Sequence, residues 1–146
     1  MEFVYDRLVS APLSSVWAAL TDPEAMEPHL PGTAKVESTG AESYRVSMKI
    51  SMGFLRPTVK ANVQLVDVIE HSSFTIVLSG KSMGAGVSGE AKMTLSESEG
   101  DSNSTRIVMT GEVETTGLLK KVSDTKIENA ATGFLESYLS SVEQGA

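Results

Sequence analysis

Cysteine is absent from the chain, which excludes disulfides, thiolate metal sites and a cysteine nucleophile and suits a cytoplasmic protein. Basic residues are few: 12 Lys and Arg against 19 Asp and Glu leave a formal net charge of -7. Nucleic-acid binders concentrate Lys and Arg, so no nucleic-acid partner is expected, and simple adsorption to an anionic membrane surface is disfavoured as well. Long apolar runs are also lacking. Stretches such as 16–20 and 74–78 fall far short of the roughly 20 residues that span a bilayer. The opening Met-Glu-Phe-Val-Tyr-Asp has no basic segment leading into an apolar one, so no secretory signal is read. A soluble, cytoplasmic protein without a transmembrane segment is the expectation.

What is present fits one globular domain over residues 1–146, with 40% apolar and 21% charged residues placing the chain well away from disorder. Residues 2–9 read as a strand whose buried face is ambiguous. Ser10-Ala11-Pro12 starts a short helix, with Ser10 as its cap and Val16, Trp17 and Leu20 on one face. Asp22-Pro23-Glu24 starts a second, which His29-Leu30-Pro31-Gly32 ends.

From residue 33 to 116 the period becomes two. Tyr44, Val46, Met48, Ile50 and Met52 alternate with polar neighbours; so do Val59, Ala61, Val63 and Leu65; Phe74, Ile76 and Leu78; Val87, Ala91, Met93 and Leu95; and Ile107, Met109 and Val113. Short turn-rich connections make these antiparallel, with one dry face. The last segment returns to three- and four-residue spacing from Leu118 to Val142 and reads as one long helix, with Thr116 as its cap and Gly117 as its first residue. Burying each large side chain of that stripe contributes roughly 1.5–3 kcal/mol, and the dry face of the sheet is the partner available. The fold class is α+β: a curved antiparallel sheet of about seven strands wrapped around a C-terminal helix, with two short helices after the first strand.

Gly84-Ala85-Gly86-Val87-Ser88-Gly89 satisfies G-x-G-x-x-G, but a dinucleotide site needs a helix to begin there, and the following residues alternate as a strand. A tight turn at Gly84 to Gly86 is the better reading. Gly80, Gly89 and Gly111 then join Met48, Ile50, Met52, Met93 and Met109 on an inner face that is apolar without being uniformly bulky. Composition leaves a filled core and a ligand pocket equally open.

The two histidines lie apart, His29 at a helix-to-strand break and His71 in a polar turn, without the ligand spacing of a metal site or the partners of a triad. Asp67, in phase with Leu65 but near a strand end, is the one carboxylate that could face the interior. Phe54 and Leu55 form an apolar loop tip, either folded over the core or serving as the lip of a portal.

The combination of Ala11-Pro12 with Val16-Trp17 and Leu20, then Asp22-Pro23-Glu24 and Leu30-Pro31-Gly32, then the glycine-bearing strands around Gly80 to Ala91 and the run from Val113 through Gly117-Leu118-Leu119, resembles the CoxG family, named for the G subunit of carbon monoxide dehydrogenase. The likeness covers essentially the whole chain; its Pro…Val-Trp opening is shared more widely with polyketide cyclases and START-like lipid-transfer domains. It implies a helix-grip fold with an elongated cavity between sheet and C-terminal helix, and an accessory role around molybdenum hydroxylases such as CO dehydrogenase. Some family members are thought to carry a quinone or to place the enzyme at the membrane. Many relatives continue into an anchoring tail, whereas this chain stops at Glu143-Gln144-Gly145-Ala146. Soluble shuttling of an apolar molecule, with at most transient contact at the inner face of the membrane, is therefore the expected form.

The leading expectation is a non-enzymatic binder of a quinone, isoprenoid or lipid. It needs no cofactor, metal or catalytic residue, and its ligand is lined by Leu30, Met48, Ile50, Met52, Phe54, Gly89, Met109, Leu118, Leu119 and Val122. The 53–56 loop and the first turns of the long helix would form the gate. Two alternatives stand beside it. One is a cyclase-like enzyme using Tyr44 or Tyr138 beside Asp67 or His29; the other is a ligand-free assembly module with a filled core.

Overall fold

The computed structural model describes residues 1–30, 35–49, 58–82 and 85–145. Among the described residues the runs of period-two alternation are strands, and the amphipathic runs after Pro12, Asp22 and Ser123 are helices. In order these are β1 (Glu2–Val9), α1 (Leu13–Thr21), α2 (Pro23–Met26), a 3-10 turn (Glu27–His29), β2 (Lys35–Gly40), β3 (Ser43–Lys49), β4 (Thr58–Ile69), β5 (Ser73–Ser82), β6 (Ala85–Ser98), β7 (Asp101–Gly117), a second 3-10 turn (Leu118–Lys121) and α3 (Asp124–Gly145). The seven described strands form one antiparallel sheet in the order β1-β7-β6-β5-β4-β3-β2. The meander from β2 to β7 is thus completed by the N-terminal strand.

The inward phase is the one the alternation indicates. Tyr44, Val46, Ala61, Val63, Leu65, Phe74, Met93, Leu95 and Ile107 are buried, together with Trp17 and Leu20 of α1 and Tyr138, Leu139 and Val142 of α3. On β1, where the sequence leaves the choice open, Phe3, Tyr5 and Val9 face in while Val4 and Leu8 face water. Thr105 is the buried polar residue at this end; its hydroxyl donates to the Ala11 carbonyl at 2.8 Å and pins the start of α1 to β7. That bond satisfies a group whose burial would otherwise cost about 1–3 kcal/mol.

Three local readings change. Pro12, not Ser10, is the N-cap of α1, and no side chain caps that helix; the Ser10 amide instead donates to Glu143. Asp22 does cap α2, accepting from the Glu24 amide at 3.0 Å. The long helix begins at Asp124 rather than Gly117: Gly117 takes φ +63, a 3-10 turn follows, and Val122 is extended. Ser123 supplies the start, its hydroxyl accepting from the Lys126 amide at 3.3 Å and its carbonyl from the Ile127 amide. Finally, the strand through Gly86 to Gly89 begins at Ala85, so Gly86 pairs within the sheet, opposite Lys81 and Thr116, and is not part of the turn.

Asp67 adopts φ +53 at a bulge, where β4 spends one more residue than β5 between the pairs Val66–Thr75 and Ile69–Ser73. The extra residue reverses the alternation, as bulges do. Asp67 points to solvent and Val68 takes the inward place. The interior therefore loses the one carboxylate that its phase had offered.

Candidate functional site

Burial on the inner face of the sheet falls along three adjacent strands, although Gly80 at the far end of β5 is buried again. Toward α1, Phe74, Met93 and Ile107 are 1–2% exposed. Further along the same strands Ile76 and Leu78 on β5, Gly89 and Ala91 on β6, and Met109, Gly111 and Val113 on β7 face the same way yet are only half-buried. The helix above behaves alike. Tyr138, Leu139 and Val142 are sealed and Ile127 is buried near the start, whereas Ala130, Ala131, Phe134 and Leu135 between them stay half-buried. These half-buried side chains border the space between the N-terminal half of α3 and β5–β7, the candidate hollow.

The register explains its shape. Two successive cross-strand rows are Ile76–Ala91–Gly111–Phe3 and Leu78–Gly89–Val113. Small residues thus occupy the middle of the floor, with bulk at its flanks. The glycines are not merely empty. A Cβ on Gly111 would run into the Glu90 carbonyl and lie 2.6 Å from the Ala91 side chain, and one on Gly89 would lie 2.9 Å from the Glu112 carbonyl. Close approach of β6 to β7 demands them, and a floor without bulk is the consequence.

At the open end, a cleft of about 470 Å³ is walled by Met1, Val113, Thr115, Lys120, Val122 and Ile127, within the size range of small-molecule sites. Val113 belongs to the floor and Ile127 to the inner stripe of α3, so the cleft adjoins that floor. Glu114 and Asp124 complete its polar rim.

At the closed end, the Tyr138 hydroxyl donates to the Ala19 carbonyl, and its ring stacks on Phe134 at 6.0 Å. Burial, and next the nearby Tyr44 hydroxyl, push the Tyr138 phenol above its ordinary range. Burial raises Tyr44 to about 12. His29 lies edge-on to Tyr138 and shares a 2.9 Å hydrogen bond with Ser141. His71 is turn-bound at φ +60, with its ring against Trp17.

The residues expected to line a ligand divide. Gly89 and Met109 sit on the floor of the hollow, Val122 lines the cleft, and Leu119 is buried beside it in the 3-10 turn. Leu30 packs half-buried against the core, one residue from His29 and so on the Tyr138 side. Met48 pairs with Val59 on β3 and β4, and Leu118 opens the 3-10 turn; their side chains, like all of Ile50, Met52 and Phe54, lie outside the described residues.

Sequence reasoning missed a polar brace on the inner face of β1. Tyr5 donates to Glu136 at 2.5 Å, and Arg7 reaches Glu136 at 2.9 Å and Glu143 at 2.6 Å. Glu136, Ser140 and Glu143 recur at helical spacing opposite the Tyr5–Arg7 phase, a signal legible once α3 is known to lie over β1. Among the described residues no cluster of His, Asp and Glu is arranged to hold a metal ion, and no helix is long and apolar enough to cross a membrane.

An antiparallel sheet gripping one C-terminal helix defines a helix-grip protein. Solved structures agree. A conserved protein from Geobacillus kaustophilus superposes with a TM-score of 0.87 at 14% identity, over 99% of this chain and 94% of that one. A protein from Thermus thermophilus gives 0.71 at 16% identity over 100% and 99%, and the Zhui aromatase/cyclase from a Streptomyces species gives 0.69 at 14% identity over 99% and 92%. At such identities the likeness is one of fold. No protein of curated function matches the sequence. The chain belongs to the CoxG family, that of the carbon monoxide dehydrogenase G subunit, whose model matches residues 7–145.

Proposed function

We propose that the protein is a non-enzymatic carrier that holds a quinone, isoprenoid or lipid between β5–β7 and the N-terminal half of α3. The observation that carries this is the stretch of half-buried apolar side chains on three strands that coincides with one on the facing helix. An apolar guest there would remove that surface from water, worth about 25 cal/mol per Å². The cleft at Val113, Val122 and Ile127 is its way in, and the 3-10 turn with the first turn of α3 is its gate. The family name suggests the destination, a CO dehydrogenase-type molybdenum hydroxylase, with any membrane contact transient.

A carrier is preferred to a cyclase-like enzyme because three of the four groups such chemistry would recruit are engaged or turned away, which leaves Tyr44 without an acid–base partner. Tyr138 is bonded to Ala19, His29 to Ser141, and Asp67 points to solvent.

Organic extraction and native mass spectrometry of protein purified without detergent test the reading. A stoichiometric apolar molecule, released on denaturation, is expected. Protein that emerges empty and is not stabilised by quinones, isoprenoids or lipids in thermal unfolding contradicts it.

A further inference from the structure

The Tyr44 side chain is a polar group inside an apolar wall. The residue is only 6% exposed, yet among the described residues its hydroxyl has no hydrogen-bond partner, while Tyr138 beside it is satisfied by Ala19. A buried hydroxyl left unpaired costs about 1–3 kcal/mol, and such groups are uncommon in native interiors. No described side-chain N or O is both wholly inaccessible and without any partner, so a phenol oxygen without one borders reachable space.

Register places it relative to the hollow. Tyr44 pairs with Val63, Val63 with Leu78, Leu78 with Gly89 and Gly89 with Val113. One cross-strand row therefore joins this tyrosine, through Val63, to Leu78, Gly89 and the cleft residue Val113. The sheet meets a guest at one end with a hydrogen-bond donor and along its length with apolar side chains.

We infer that Tyr44 is the polar contact of the binding site, donating a hydrogen bond to an acceptor oxygen on the guest. The preferred ligand class is then an apolar molecule carrying a carbonyl-type oxygen at its inner end, in preference to a bare hydrocarbon. This rests on the carrier reading above and adds the chemistry of the ligand head to it.

The test compares two probes of matched length, 2-undecanone and undecane, titrated into ligand-stripped protein. Wild type should bind the ketone about three- to tenfold more tightly, the worth of one neutral hydrogen bond. Tyr44→Phe, which removes only the oxygen, should abolish that preference and keep the affinity for undecane. Equal binding of the two probes by wild type, as expected if ordered water satisfies the phenol, or a preference that survives Tyr44→Phe, overturns the assignment and leaves the carrier intact. Binding of neither probe removes the carrier reading and this inference together.

A second readout needs no variant. The infrared carbonyl band of the ketone bound to wild type should fall below its position in hydrocarbon solvent. An unshifted band overturns the assignment even if Tyr44→Phe does not fold.

Discussion

The Arg7 guanidinium on β1 lies 2.6 Å from the Glu143 carboxylate near the end of α3. With side chains only 16% and 23% exposed, this pair is shielded as the Arg7–Glu136 pair is not, since Glu136 is 52% exposed. Glu143 also accepts from the Ser10 amide, so one carboxylate joins the helix to the edge strand and to the turn after it.

Arg7→Leu leaves that carboxylate with a single donor and should lower stability by about 1–2 kcal/mol, read as a reduced midpoint in urea. Glu136→Gln should cost much less, because exposed pairs contribute little. Equal losses would show that the brace is not centred on Glu143.

The protein has three tyrosines, and all three phenols are raised: Tyr5 to about 12, by burial and then by its bond to Glu136, Tyr44 to about 12 and Tyr138 higher still, both by burial first. Raised folded-state values favour the protonated form, so their contribution is complete below the unfolded value near 10 and is lost as pH climbs toward 12 and beyond. Ultraviolet titration should show almost no tyrosinate at pH 10, with ionisation and unfolding appearing together toward 12. A phenol that ionises near 10 in the folded protein contradicts the placement of at least one ring.

Gly111 and Gly133 separate two roles of glycine. Gly111→Ala must push β6 away from β7, because its Cβ would clash with the Glu90 carbonyl; a loss of about 1–3 kcal/mol is expected. Gly133 lies in α3 with nothing within 4 Å of an added Cβ, so Gly133→Ala should stabilise by about 0.5–1 kcal/mol. Denaturant midpoints moving in opposite directions would confirm both.

Thr105→Val keeps the shape but deletes the hydroxyl that meets the Ala11 carbonyl. A loss of about 1–3 kcal/mol is expected, with far-ultraviolet circular dichroism unchanged. A neutral effect would show that the carbonyl finds another donor.

Most of the sheet was legible because alternation at period two records which side of a strand is dry; the rows through Val46, Val63, Phe74 and Met93 could be read directly. The start of α3 was not. Leu118, Leu119 and Val122 keep helical spacing, but Gly117 at φ +63 redirects the chain and Ser123 caps the true start. Nor was the bulge at Asp67, since one inserted residue leaves no mark on composition while inverting the phase beyond it. At the site, apolar floor positions such as Gly89 and Met109 were visible in the pattern. The opening at Met1 and Val113 was not, because it arises where residues 112 positions apart meet through the N-terminal amine and the Val113 carbonyl.

The central claim is that room for an apolar guest remains under the N-terminal half of α3. Ala131 faces that room, half-buried against the core. Titrating ligand-stripped protein with an environment-sensitive apolar fluorophore should give saturable binding to wild type. In Ala131→Phe, binding should be weakened about tenfold or more, with the unfolding midpoint held or raised as the void fills. The same affinity in both proteins, or no binding to wild type, would contradict the account.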